Sequence, residues 1–213
     1  MRLFHPSLVL AVATLMSSAG IVRAGETPEG TTRVEEDWEL VIATPDLEGA
    51  GPQITTCMAP VPSDTTRFVA FNLNYRADPS FIAGGVHILV WDDNAVVDLS
   101  ANETGRCNTT NELITWTQRM SLSVGSLSYS IRNGQSTTWG KFGQGNGLQA
   151  VDFGTTVDTL ALYNPDDSAS RSGVGWQRNH VSRMTLLRVR YYAGLTLLST
   201  DEQPRPVVDN TGD

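Results

Sequence analysis

The chain has 213 residues, with 15 Lys and Arg against 23 Asp and Glu, for a net charge of −8. An excess of carboxylates repels phosphate backbones, which argues against nucleic acid as a partner. With three histidines and neither a G-x-S-x-G nor an H-E-x-x-H sequence, it also offers little to triad or zinc-protease chemistry.

The first element reads as a leader. Arg2 precedes an apolar run at 8–16 (LVLAVATLM), and small residues then lead to Val22-Arg23-Ala24. Nine apolar residues at about 1.5 Å each fall short of a hydrocarbon core about 30 Å thick, so a secretory signal peptide over 1–24 is expected rather than an anchor. Cleavage after Ala24 is the first choice and after Ala19 the alternative. No Cys follows the cleavage site and the C-terminal tail has no apolar run, so no lipid or membrane anchor is expected. The expected location is secreted or periplasmic. Loss of Arg2, Arg23 and His5 leaves 13 basic and 23 acidic residues, a net of −10, with His87 and His180 as the remaining histidines. His87 lies inside an apolar run and His180 begins one, so both read as structural or surface residues.

Beyond the leader, the expected organisation is a flexible acidic linker at 25–36, one β-sandwich domain at 37–200 and a flexible tail at 201–213. Cys57 and Cys107, alone in an oxidising compartment, are expected to form one disulfide. Its loop of about 50 residues would contribute about 4 kcal/mol in the chain-entropy account.

No stretch from 37 to 199 has helical periodicity; short alternating segments separated by Gly, Pro, Asn and Asp recur instead. Val69, Phe71, Leu73 and Tyr75 alternate with Phe68, Ala70, Asn72 and Asn74. Residues 86–91 are apolar on both faces, and Asp92-Asp93-Asn94 turns the chain into 95–99. Ile114, Trp116, Gln118, Met120 and Leu122 share one side of a long strand. Residues 127–132 alternate up to Asn133-Gly134, a pair suited to a type I′ turn, from which 136–139 return as a hairpin. Residues 148–153 read as a strand after the glycine-rich 140–147, and Thr185, Leu187, Val189 and Tyr191 line one face of the last long strand. About a dozen such strands predict an all-β, two-sheet antiparallel sandwich or jelly roll, with a closed barrel as the runner-up.

Four constellations could carry chemistry. Glu35, Asp37 and Glu39 alternate, so on a strand they share a face, as the carboxylates of a retaining glycosidase do at about 5–5.5 Å. The competing account is a solvated acidic linker. The glycine-rich 140–147 could form a binding loop through Phe142 and Asn146, flanked by Trp139; no helix follows to complete a phosphate cradle. Of five tryptophans, Trp139 and Trp176 sit among Gly, Ser and Thr and are the candidate sugar platforms, whereas the others read as core. Asp92-Asp93-Asn94 and the run Asn164, Asp166, Asp167 offer the hard oxygens that Ca²⁺ takes, although turns use the same residues; no other cofactor is expected.

The residues Gly85-Val86-His87-Ile88-Leu89-Val90-Trp91-Asp92, Thr115-Trp116-Thr117-Gln118, Asn133-Gly134 leading to Thr138-Trp139-Gly140, and Ser172-Gly173-Val174-Gly175-Trp176 carry a resemblance. Over 80–192 the chain resembles the concanavalin A-like lectin/glucanase group of jelly rolls and, more narrowly, exported bacterial β-sandwich proteins. The resemblance implies a module that binds carbohydrate through loops on a concave sheet, often beside Ca²⁺. Tyr163, Asn164 and Asp167 resemble part of the legume-lectin metal motif. Glu35, Asp37 and Glu39 resemble the E-x-D-x-E motif of laminarinase-like hydrolases, with Glu36 at an intervening position that is apolar there. The leading expectation is therefore a secreted, non-catalytic glycan-binding module; the alternatives are a structural surface protein and a glycoside hydrolase.

Overall fold

The computed structural model describes residues 26–44, 52–75, 85–92, 95–101, 109–137, 140–144, 150–176 and 180–210. Thirteen strands and one helix follow in the order β1 (Arg33–Ile42), β2 (Gln53–Met58), β3 (Arg67–Tyr75), β4 (Gly85–Asp92), β5 (Ala95–Ala101), β6 (Glu112–Ser123), β7 (Ser126–Ser136), β8 (Gly140–Phe142), β9 (Ala150–Gly154), α1 (Pro165–Arg171), β10 (Gly173–Trp176), β11 (Val181–Ala193), β12 (Thr196–Asp201) and β13 (Arg205–Asp209). An eight-stranded sheet runs β12-β11-β1-β6-β7-β8, with β13 also on β11 and β9 also on β7; a five-stranded sheet runs β10-β2-β3-β4-β5. The protein is thus an all-β, two-sheet antiparallel sandwich, as the alternating segments predict.

The core forms where the two sheets face each other. Trp38 of β1 lies directly opposite Trp116 of β6, and their rings stack at 6.2 Å with planes 6° apart. Phe71 of the other sheet meets Trp116 at 6.1 Å, tilted by 59°. Val69, Leu73, Ile88 and Val90 from one sheet, with Leu40, Met120, Ile131 and Leu186 from the other, complete this cluster of buried side chains. Large rings bridging two apolar faces are what hold a sandwich together.

Two expected boundaries move. β1 begins at Arg33, inside the stretch read as a linker, and becomes a central strand between β6 and β11. β13 lies within the stretch read as a tail and pairs Arg205 with Leu186 and Val208 with Met184. Both segments contribute buried residues to the sandwich (Val34, Arg205 and Val208 among them), which composition alone does not register.

Asn133-Gly134 does not make a hairpin turn. β7 continues through both residues to Ser136, and the extra residue is absorbed as a bulge against β6 between Thr115 and Thr117, with Asn133 at φ 55°. Gly134 is required for a different reason. A Cβ there would lie 2.3 Å from the ring of Phe142, which folds across it. The tight hairpin is instead β6–β7, turned at Gly125 with φ 70°.

Candidate functional site

Side chains alternate across a strand, so Glu35, Asp37 and Glu39 leave β1 on the outer side while Glu36 and Trp38 point into the core. The register sets their neighbours: Arg190 and Arg119 flank Glu35, and Arg188 and Thr117 flank Asp37. Arg119 holds Glu35 through two nitrogens, at 2.7 and 2.5 Å. Arg190 spans Glu35 at 3.2 Å and Asp37 at 2.9 Å, while Arg188 reaches Asp37 at 2.6 Å. Thr117 donates its hydroxyl to Asp37 at 2.7 Å, and Arg183 pairs with Glu39 at 2.6 Å. Arg33 stacks over the Tyr192 ring at 3.8 Å. The three acids do share a face, but they form the middle of a cross-strand ion-pair grid rather than a solvated linker. A retaining glycosidase needs a nucleophile and a proton donor turned toward a sugar; these carboxylates are turned toward guanidiniums.

Beside Asp37 the grid opens into a depression of about 290 Å³ lined by Thr115, Thr117, Asn133, Leu187 and Arg188. Bulges flank it on both sides, between Asp37 and Trp38 against β11 and between Thr115 and Thr117 against β7. Bulges re-aim side chains, and both of these lie among the residues that line the depression.

One residue away, Glu36 is fully buried. Trp38 Nε1 donates to it at 2.9 Å, and the Gln118 amide and Tyr163 hydroxyl donate as well. The amide oxygen of Gln118 in turn accepts from Thr56 at 2.8 Å and Tyr129 at 2.9 Å, joining β1, β6 and β7 to β2 of the opposite sheet. All of these donors are neutral. Burial pushes the Glu36 carboxyl above its ordinary value, outweighing hydrogen bonds from Tyr163, Gln118, Ser168 and Trp38 that pull it down. Such a group ties the two sheets together and has no route to a substrate.

The outer face of the five-stranded sheet has a different chemistry. Phe68 and Trp91 are cross-strand partners whose rings stack at 6.4 Å and 12°. Trp91 is 37 % exposed, although the apolar run 86–91 reads as core. Next to Phe68, a cavity of about 520 Å³ lies between the sheet and α1, lined by Thr55, Ser63, Thr65, Ser170 and Arg171 and floored by Cys57 and Ala70. Asn164 caps α1 by accepting from the Asp166 amide at 2.8 Å, Pro165 occupies the first turn, and Asp167 pairs with Arg171 at 3.0 Å. The Asp167 carboxylate also accepts from the Ser63 amide at 3.2 Å, fixing one wall. Cys57 is a free, buried thiol and not half of the expected Cys57–Cys107 bridge; burial raises its pKa to about 12, so it is no nucleophile.

The other expected site residues are distributed as follows. Asn164, Asp166 and Asp167 form a capped helical turn rather than a metal loop, with Asp166 held by Arg205. Asp92 pairs with Arg67 at 3.1 Å. Among the described residues no group of three His, Cys, Asp or Glu is placed to hold a metal ion. Phe142 is buried over Gly134 and is not a surface contact. Trp139, Asn146, Asp93 and Cys107, and the side chain of Trp176, lie outside the described residues. His87 is buried and bonded through Nδ1 to the Asn72 amide at 2.9 Å, as a structural histidine would be. Among the described residues no helix is long and apolar enough to cross a membrane. No protein-family model matches the chain, and no curated protein matches it.

Proposed function

We propose that the protein is an exported, non-catalytic carbohydrate-binding sandwich, with a neutral glycan seated against Phe68 and Trp91 and beside the cavity under α1. The observation that carries this reading is the half-exposed Trp91, stacked on Phe68, which lines a cavity offering the hydroxyls of Thr55, Ser63, Thr65 and Ser170 beside Asp167 and Arg171. A flat ring offers an apolar surface to the C–H face of a sugar, while convergent hydroxyls orient its polar edge. The carboxylates of the outer grid supply no competing hydrolytic site, because their oxygens are already bonded to arginines.

The test is titration of the full chain with cello-, laminari- and chito-oligosaccharides, followed by tryptophan fluorescence and calorimetry. Trp91→Ala should weaken binding by about tenfold or more, about 1.4 kcal/mol per factor of ten. Unchanged affinity in that variant, or silence toward every oligosaccharide, overturns the reading.

A second reading, assembly with a second copy of the chain, rests on the edge strand β12. Leu197 and Leu198 are exposed on it, Leu195 is 90 % exposed beside it, and no charge falls between 196 and 200. Antiparallel self-pairing would place Asp201 of each copy at opposite ends of the joint. Sedimentation of the parent against Leu197→Lys decides it: a dimer lost in the variant supports assembly, and a monomer throughout removes it.

A further inference from the structure

One block of the outer face of the eight-stranded sheet holds more arginine than carboxylate, while Glu39 and Asp209 beside Arg183, and Asp152 on β9, lie on the same face outside that block. Across 33–37, 117–119, 130–132 and 188–192, five guanidiniums (Arg33, Arg119, Arg132, Arg188 and Arg190) share a side with two carboxylates, Glu35 and Asp37. The whole chain is net −8, so this is a local concentration and no reflection of composition. Arg119 and Arg190 are held tightly by those carboxylates. Arg132 is not: it is exposed, its Nε donates only to the Ser130 hydroxyl at 3.1 Å, and no carboxylate lies in ion-pair range among the described residues. Partial burial and repulsion from Arg119 lower its pKa, the mark of a cation placed among cations. Lys141, one strand farther on β8, is exposed and likewise has no ion pair among the described residues. On the other flank Arg188, with its side chain 45 % exposed, engages Asp37 through Nε alone.

We propose that this face binds an acidic polysaccharide. Its sulfate or carboxylate groups pair with Arg132, Lys141 and Arg188, and its ring hydroxyls enter the depression between them against Thr115, Thr117 and Asn133. From Arg188 on β11 to Arg132 on β7 is three strand spacings, about 14 Å, so one chain can touch both flanks. Guanidiniums recognise planar and tetrahedral oxyanions through paired N–H donors, which suits either anionic group. Three features favour a polysaccharide over other polyanions. Besides Asp37, Leu187 and the buried Trp38 and Trp116, the space between the cations is lined by the Thr115 and Thr117 hydroxyls and the Asn133 amide, which match sugar hydroxyls. Tyr192, the aromatic ring of this block, is covered by Arg33 and offers no platform for a nucleic-acid base. Leu187 is the large aliphatic side chain at the depression, too little for insertion into a bilayer. This surface lies on the opposite side of the sandwich from Trp91 and does not depend on the neutral-glycan reading.

The experiment passes the full chain over immobilised dextran sulfate, polygalacturonate and unmodified dextran at increasing NaCl. Both anionic matrices should retain the protein and dextran should not, with retention falling steeply as salt rises. The stronger of the two anionic matrices identifies the preferred group. The double variant Arg132→Ser with Lys141→Ser should bind dextran sulfate about tenfold or more weakly, Arg132→Lys should retain most of the affinity, and Trp91→Ala should leave it unchanged. Neither Arg132 nor Lys141 holds an ion pair among the described residues, so the variants should keep the fold, checked by tryptophan emission. Absence of retention on both anionic matrices, or equal retention of the double variant, overturns the proposal. Equal affinity for single-stranded DNA or for phosphatidylglycerol vesicles overturns the assignment to polysaccharide.

Discussion

Glu35 and Glu36 are adjacent in sequence and could hardly be more differently placed. Glu35 sits outside, among Arg33, Arg119 and Arg190; Glu36 sits inside, among Trp38, Gln118 and Tyr163. The outer carboxylate is almost covered by arginines whose own side chains reach water, and the inner one is held by neutral donors in a dry core. A carboxylate matched by exposed charge contributes little and responds to salt. One matched by hydrogen bonds alone is costly to disturb and responds to pH.

The largest expected effect is on the inside. Glu36→Ala leaves the Trp38, Gln118 and Tyr163 donors unpaired around a new void, which should cost about 3–5 kcal/mol in urea unfolding. A loss below 1 kcal/mol would mean the cluster is dispensable.

The second effect is on pH dependence. Because the folded pKa of Glu36 is raised above 4.5, the folded state binds this proton more tightly than the unfolded chain does. Its contribution is full below pH 4.5 and is lost as pH rises from 4.5 through the folded value. Glu36→Gln keeps the shape and cannot ionise. Its stability relative to the parent should therefore grow toward neutral pH, at up to about 1.4 kcal/mol per unit within that window. Parallel stability curves from pH 4 to 7 would assign the titration elsewhere.

Gly134→Ala tests the bulge between the two environments. Its Cβ would strike the Phe142 ring, and a loss of about 1–3 kcal/mol is expected, readable as a lower urea midpoint with an unchanged slope. The smallest effect is outside. Glu39→Gln breaks a pair whose arginine side chain is 43 % exposed, so the loss should stay under about 1 kcal/mol and vanish near 1 M NaCl. A large, salt-insensitive loss would show that the grid behaves like the core.

Much of the fold was legible because alternation is a direct print of burial. The runs at 67–75, 86–90 and 114–122 fall on β3, β4 and β6 with their apolar sides inward, whereas on β11 the bulge at Leu187 switches the buried side, so Met184 and Leu186 join Val189 and Tyr191 inside and Leu187 is exposed. What escaped depends on contacts from far along the chain. Residues 35–39 look like a solvated acidic run until Arg119, Arg183, Arg188 and Arg190 arrive from distant strands. Asn133-Gly134 has turn chemistry, but Phe142 claims the space over the glycine and β7 runs on. Trp91 sits in an apolar run, yet it alternates outward beside Phe68, since a strand's outer face can be apolar too. α1 has only seven residues, too few for periodicity, although Asn164-Pro165-Asp166-Asp167 is a recognisable cap.

The position of β1 bears on how the chain comes to be folded. The strand pairs with β6, some 80 residues later, and with β11, some 150 residues later, so it cannot gain both neighbours until nearly the whole polypeptide is available. Through that wait it is an exposed strand bearing valine, tryptophan, leucine and isoleucine, the composition from which intermolecular sheets nucleate. Four carboxylates in five positions, Glu35, Glu36, Asp37 and Glu39, set copies of that strand against one another by repulsion. The acids that the finished fold neutralises thus guard the unfinished one, and most of the arginines that relieve them, Arg183, Arg188 and Arg190, arrive late, on β11.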